Sequence, residues 1–467
     1  MVSISKSISE SQFSTRRPAK QAWLTSLALG VAIALCLFQA SRAATPAADG
    51  GATLFQNVRV FNGKSATLSS PSNVLVRGNL IERISTSPIA ADPNVRVIAG
   101  GGRVLMPGLT DAHWHAMMIR ATPALLLGSD VGYTTLLAAG EATATLMRGF
   151  TTVRDMGGPS FSLKRAIDEG ALPGPRIYPS GAMITVTSGH GDFRQLIDLP
   201  RAMGEHSRVE ELGGAAIADS PDEVRLRTRE QLMLGASQIK LTAGGGVASP
   251  HSPLDVATFN EDELHAAVEA AANWGTFVCT HAYTSISVQR SIAAGVKCIE
   301  HAHLIDEPTA RLIAEKGVWL STQPFVDIGG AAALGPAEQA QMRQVVAGTD
   351  RVYNLARKYK IKTAFGTDIL FSQALAERQG QGLVDLTRWY TPAEALIMAT
   401  STNAELFAMT GLRNPYPGKL GVVEEGAFAD LLLVDGNPLE DIKVVADPAK
   451  NFLIIMKDGK IYKDALN

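Results

Sequence analysis

The chain has 467 residues, with 43 Lys and Arg against 45 Asp and Glu, 46% hydrophobic residues and only 3 Cys. Its charged share of 19% is below the roughly 25% of an average soluble domain, which excludes a charge-rich disordered chain, and a net charge of −2 offers no basic footprint for nucleic acid. Three cysteines make neither a disulfide framework nor a CxxC…CxxC zinc site, so any metal chemistry must come from histidine and carboxylates.

Residues 1–43 differ from the rest. Lys6, Arg16, Arg17 and Lys20 precede an apolar run over 23–38 that ends in Ser41-Arg42-Ala43, the pattern of a cleaved secretory signal peptide. The run is about 16 residues, short for a span that needs about 20. Export to the periplasm or medium is expected, without stable membrane insertion of the mature chain; a retained membrane anchor is the alternative. The leader holds five basic residues and one acid, so residues 44–467 carry −6. Of the remaining cysteines, Cys279 and Cys298 sit in apolar strand-like runs and read as buried free thiols.

Residues 52–60, 73–84 and 95–104 alternate like short strands with Gly-Asn and Asn-Gly turns, and 429–434 and 452–462 do likewise around Asp458-Gly459. Because isolated β tails would leave open edges, 52–107 and 417–463 are expected to form one small β-sandwich-like domain built from both chain ends. Between them, 108–416 reads as βα units. Strands are expected to end near His113 and to cover 151–155, 176–180, 237–242, 276–281, 296–301, 318–323 and 361–366. Helices are expected over 260–274, 285–294, 306–316 and 391–409, with one more reaching Tyr359 and another opened by a Ser220-Pro221-Asp222-Glu223 capping box. About eight such units make a (β/α)8 barrel, an α/β fold.

The chemistry lies at strand ends. His113 and His115 in Asp111-Ala112-His113-Trp114-His115 face the same way along a strand and suit one metal ion. Lys240 stands in the apolar run Gln238-Ile239-Lys240-Leu241-Thr242, where an unpaired ammonium is costly, so it must be modified, paired or depressed in pKa. His281 and His301 end the next two strands, and Asp368 follows Phe365-Gly366-Thr367. Each alone could be a satisfied core residue, but all six at strand ends of one barrel face argue for a metal site.

These motifs, Leu105-Met106-Pro107-Gly108-Leu109-Thr110-Asp111-Ala112-His113-Trp114-His115 with Lys240, His281, His301 and Gly366-Thr367-Asp368, resemble the amidohydrolase superfamily. Gly244–Asp255 and Ser188-Gly189-His190-Gly191-Asp192 resemble its prolidase-like carboxypeptidase branch, to which ochratoxin amidohydrolases belong. The resemblance implies two divalent ions, with Zn2+ the leading choice over Mn2+ or Co2+. His113, His115 and Asp368 would hold one ion, His281 and His301 the other, and N-carboxylated Lys240 both. A water between them would lose its proton readily, with Asp368 as base and then acid. Tyr283, on the side of its strand that carries His281, either donates to the developing oxyanion or packs as an ordinary aromatic.

His190, His251 and His303 fall on loops after strands and, with Arg194 or Arg378, are candidates for a substrate carboxylate or for structural roles. The Gly244-Gly245-Gly246 run lacks a following Gly-Lys-Ser/Thr; it implies space for a bulky substrate and a close backbone approach. The expected activity is hydrolysis of the amide or peptide bond to a C-terminal amino acid, in dipeptides or N-acyl amino acids, ochratoxin-like N-acyl phenylalanine included. The alternatives are a deaminase or cyclic-amide hydrolase on the same barrel, or a non-catalytic solute-binding barrel. The resemblance also implies a homo-oligomer.

Overall fold

The structure is a computed structural model that describes residues 51–200, 205–249, 251–329 and 334–466. The expected leader lies outside the described residues. No helix among the described residues is long and apolar enough to cross a membrane.

Strands from both ends of the chain share one sheet. β1 (Ala52–Val60), β2 (Pro71–Arg77), β3 (Leu80–Ser85), β4 (Val95–Ala99) and β5 (Val104–Pro107) come from the first part of the chain. Alternation of apolar and exposed residues is what makes these strands, and Gly78, at φ +59, turns the chain between β2 and β3. Val104–Pro107 pairs antiparallel with Leu431–Val434 near the C-terminus, which joins the two ends. Phe55, Val74, Ile81, Leu431, Ile454 and Met456 are inward-facing and form a core of their own.

The central strands are β6 (Leu109–Trp114), β7 (Phe150–Asp155), β8 (Arg176–Pro179), β9 (Met183–Thr185), β10 (Ala215–Ile217), β11 (Ile239–Thr242), β12 (Val278–Thr284), β13 (Cys298–Leu304), β14 (Trp319–Thr322) and β15 (Thr363–Phe365). They form two parallel ladders, β6-β7-β8 and β10-β9-β11-β12-β13-β14-β15, with helices between most successive strands, so the fold is α/β. The remaining strands, β16 (Leu431–Val434), β17 (Phe452–Lys457) and β18 (Lys460–Asp464), complete the terminal sheet.

The ladders do not close into a continuous ring. One seam is bridged by Asn403, whose amide donates to Thr110 O at 3.2 Å on β6 and to Phe365 O at 2.9 Å on β15. Phe365 N donates back to Asn403 Oδ1 at 2.9 Å. At the other seam, Ser237 N donates to Pro179 O at 2.7 Å. Asn403 accounts for a departure from the expected uninterrupted helix over 391–409: Pro392–Ile397 and Asn403–Ala408 are separated by a π-helical turn at Met398–Thr402. Such turns insert a residue into a helix, and this one precedes the side chain that reaches both strands.

Capping follows the sequence closely. Asn260 and Glu263 bond reciprocally at 2.8 and 2.9 Å ahead of Glu261–Asn273. Ser220 accepts from Glu223 N, but the Glu223 carboxylate accepts from Asp219 N, one residue before the cap.

Candidate metal centre

β6, β11, β12 and β13 deliver their polar side chains to one cavity of about 240 Å³. It is lined by His113, His115, His190, Lys240, His281, Tyr283, His301, Asp368 and Arg378. His113, His301 and Asp368 each present a ligand atom within 4.8 Å of the others. Asp368 Oδ1 lies 3.3 Å from His113 Nε2 and 3.2 Å from His115 Nε2. The His281 ring centroid is 4.4 Å from that of His301.

Lys240 is buried at the centre of this group, and its hydrogen-bond partner is His113 Nε2 at 3.5 Å. Burial lowers its pKa, partly offset by Glu300 and Asp368. Burial likewise holds His113, His281 and His301 well below the usual imidazole range, with Lys240 adding to the effect, and pushes His190 down to about 3. Neutral imidazoles are the form that binds metal.

Three of the imidazoles have a hydrogen-bond partner outside the group. His113 Nδ1 is 2.8 Å from Glu300 Oε2, His301 Nδ1 is 2.7 Å from Gln323 Oε1, and His281 Nε2 is 2.8 Å from Gly245 O. The Glu300 bond occupies Nδ1 of His113 and leaves its Nε2, 3.3 Å from Asp368 Oδ1, for the cavity, as a metal-ligating histidine requires. Donor set, neutral state and outer partners all fit divalent ions.

Behind these residues is a second polar layer that the sequence reading did not identify. Arg154 is fully buried; it donates to Glu300 at 2.7 Å and Ala112 O at 2.6 Å, and lies 3.3 and 3.7 Å from the thiols of Cys279 and Cys298, both free. Asp111 accepts from His113 N, Thr367 N, Thr367 Oγ1 and Gln379 Nε2 at 2.6–3.1 Å, tying the loop that bears Asp368 to β6. Burial raises the Asp111 pKa to about 6 against the opposing effect of these bonds. His301 and Asp368 adopt left-handed backbone, at φ +78 and +52, conformations costly for residues other than glycine and common at functional sites.

Tyr283 is buried, stacked on His301 at 4.9 Å and edge-on to His281 at 5.0 Å, and burial keeps its hydroxyl protonated well above the ordinary range. His190 stacks on His281 at 4.2 Å and meets Ser249 Oγ at 2.8 Å. Other sequence candidates do not line the cavity. Arg194 is held by Asp192, two residues away, at 2.6 and 2.8 Å. His303 is buried against Phe325, with Nε2 3.0 Å from Gln323 O. His251 is exposed, and its carbonyl accepts from Ser188 Oγ at 2.7 Å.

The glycine run makes close backbone contacts: a Cβ on Gly245 would meet Pro253 O at 1.7 Å, and one on Gly246 would meet His190 Nδ1 at 2.0 Å. Its small size therefore serves packing at the loop, while the open space of the site lies between Met118, Met183, Phe193, Phe325, Ile369 and Phe371.

Residues 104–462 match the Amidohydrolase family. Ochratoxinase from Aspergillus niger is 32% identical to the chain over 391 residues, which is 77% of this chain and 76% of that protein. The crystal structure of an amidohydrolase superposes with a TM-score of 0.82 at 35% identity, covering 89% of this chain and 100% of the other. That of a prolidase complexed with N-methylphosphonate-L-proline gives 0.81 at 32% identity, covering 88% and 100%. On the extent of the match and the identity of these relatives, the chain belongs to the amidohydrolase family.

Proposed function

We propose that the protein is an exported, binuclear metal-dependent hydrolase that releases a C-terminal amino acid from dipeptides or N-acyl amino acids. The observation that carries the reading is Lys240: a buried lysine with a lowered pKa, bonded to one imidazole among four histidines and Asp368. A neutral amine in that position is able to take up CO2, and the resulting carbamate would supply the negative charge that two divalent ions need.

His113, His115 and Asp368 would hold one ion, His281 and His301 the other, and carboxylated Lys240 both. Zn2+ suits this nitrogen and oxygen set. When bound, the ions would polarise the scissile carbonyl and acidify water. Asp368, within 3.3 Å of His113 and His115, takes the proton from that water and returns it to the leaving nitrogen. The Tyr283 hydroxyl, kept protonated by burial, donates to the carbonyl oxygen as it gains charge. Arg378 and His190, both on the cavity wall, receive the substrate carboxylate.

The apolar walls support bulky substrates such as an ochratoxin-like N-acyl phenylalanine. Kinship with an ochratoxinase and with a prolidase holding an amino-acid-based ligand supports the same class. Exposed Leu136, Leu196 and Ile197 are consistent with a homo-oligomer, which light scattering would test.

The deciding experiment is a panel of dipeptides and N-acyl amino acids, assayed with Zn2+-reconstituted and chelator-treated protein. Amino-acid release restricted to the metal-loaded form is expected. A metal-loaded protein that releases no amino acid from any member of the panel would sink the reading.

A further inference from the structure

A second cavity of about 60 Å³ adjoins the one that holds the candidate metal centre. Met118, Phe193 and Phe371 line both, so these three side chains form the partition. The far walls are apolar, among them Met117, Leu126, Leu127, Val209 and Leu212. Thr134, the one polar side chain among the described residues lining it, donates its hydroxyl to Val131 O at 3.1 Å.

The partition is built to yield. Met118 is an unbranched thioether that repacks readily, and Phe193 and Phe371 meet edge-to-face with centroids 6.5 Å apart. Phe371 is held by its backbone: its N donates to Met118 O at 2.8 Å, with φ at +58. These contacts fix the root of its side chain at the partition.

We propose that this annex is a subsite for the apolar tip of the substrate's acyl group, so that the preferred substrates are amino acids bearing an extended apolar N-acyl chain. The inference rests on the amide-hydrolase reading and deepens it. The leaving amino acid carries a carboxylate, which walls of hydrocarbon reject and which Arg378 in the main cavity attracts. That leaves the acyl half to face the partition. A cavity of about 150 Å³ holds benzene, so this annex has room for roughly two or three carbons.

The test is a series from N-acetyl to N-decanoyl derivatives of one amino acid, run on the metal-loaded protein. In the parent protein kcat/KM should rise about fourfold for each carbon that enters the annex and then level off. Leu212→Trp, which fills the annex from a half-buried wall position, should abolish that rise while leaving N-acetyl turnover unchanged. Leu126→Ala, which enlarges it, should extend the rise to longer chains. A second series with the acyl group fixed and Ala, Leu or Phe leaving should be indifferent to both variants. The subsite is overturned by identical chain-length profiles in all three proteins, or by variants that alter the leaving-residue series instead. Absence of turnover for every member, N-acetyl included, would overturn the hydrolase reading and the subsite with it.

Discussion

His113 Nδ1 lies 2.8 Å from Glu300 Oε2, and Glu300 is in turn held by Arg154 at 2.7 Å, all three side chains being buried. The carboxylate fixes the proton of His113 on Nδ1 and so directs the Nε2 lone pair toward Asp368 and Lys240. Arg154 gives that carboxylate a counter-charge in a site where an isolated charge would be costly.

Glu300→Gln should therefore lower Zn2+ affinity by about 10- to 100-fold, measured by competition with a chelating dye. It should also lower the melting temperature, because Arg154 is left buried without its counter-charge. The double variant Arg154→Met, Glu300→Gln should recover much of the stability and little of the affinity. Unchanged affinity in the single variant would mean that His113 is held by its backbone alone.

The inner residues were legible because each violates an apolar strand: two histidines at spacing two, a lysine between Ile239 and Leu241, histidines within the apolar runs at 276–281 and 296–301. Arg154 in β7 and Glu300 in β13 are equally out of place in apolar strands, but neither stands beside a familiar motif, and only the fold brings the two together at 2.7 Å. Two strand ends differ from the sequence pattern for a related reason. β12 and β13 run on to Thr284 and Leu304, three residues past the expected ends, because parallel strands buried on both faces continue through the histidines that interrupt their apolar pattern. β9 and β10, three residues each, are too short to show periodicity at all. Arg194 illustrates what spacing alone conceals: whether a cation meets substrate or a neighbour two residues away depends on the loop's path.

Lys240→Ala should abolish turnover and cut bound metal, as counted by elemental analysis of the purified protein. A small carboxylic acid supplied in the buffer should partly restore both, since the proposed role is that of an anionic bridge. Near-normal activity in the variant without such an acid would exclude the carbamate.

Acid should destabilise the fold in part through His303. Burial lowers its pKa to about 4, so the unfolded chain takes up a proton near 6.5 while the folded one does not. Its contribution is complete above pH 6.5 and is lost as pH falls toward 4, a difference of about 3 kcal/mol. Asp111 and Asp155, raised to about 6 by burial, act in the opposite sense: their contribution is complete below the ordinary carboxylate range and lost as pH rises through 6. Comparing urea midpoints of the parent and His303→Gln from pH 7 to 4 isolates the histidine. The variant keeps a donor for Gln323 O and should show the shallower loss; parallel curves would show that His303 titrates normally.

Gly366 is where packing and chemistry meet most tightly. It precedes Thr367 and Asp368, and a Cβ there would lie 2.6 Å from His113 Cβ and 2.7 Å from His113 N. Neither atom belongs to a flexible end, so Gly366→Ala must move one backbone relative to the other. That shift would strain the bonds from Asp368 N to His113 O at 2.8 Å and from Thr367 N to Asp111 Oδ1 at 3.1 Å, which set the approach of Asp368 to His113 and His115. Because a displacement of about 1 Å in a catalytic group is able to cost about 10²-fold in rate, kcat should fall by that order. Thermal stability should fall only by the about 1–3 kcal/mol typical of overpacking. Measured together, a large loss of kcat with a modest change in unfolding would locate the damage at the Asp368 loop; wild-type kcat would show that the loop adjusts without moving its carboxylate.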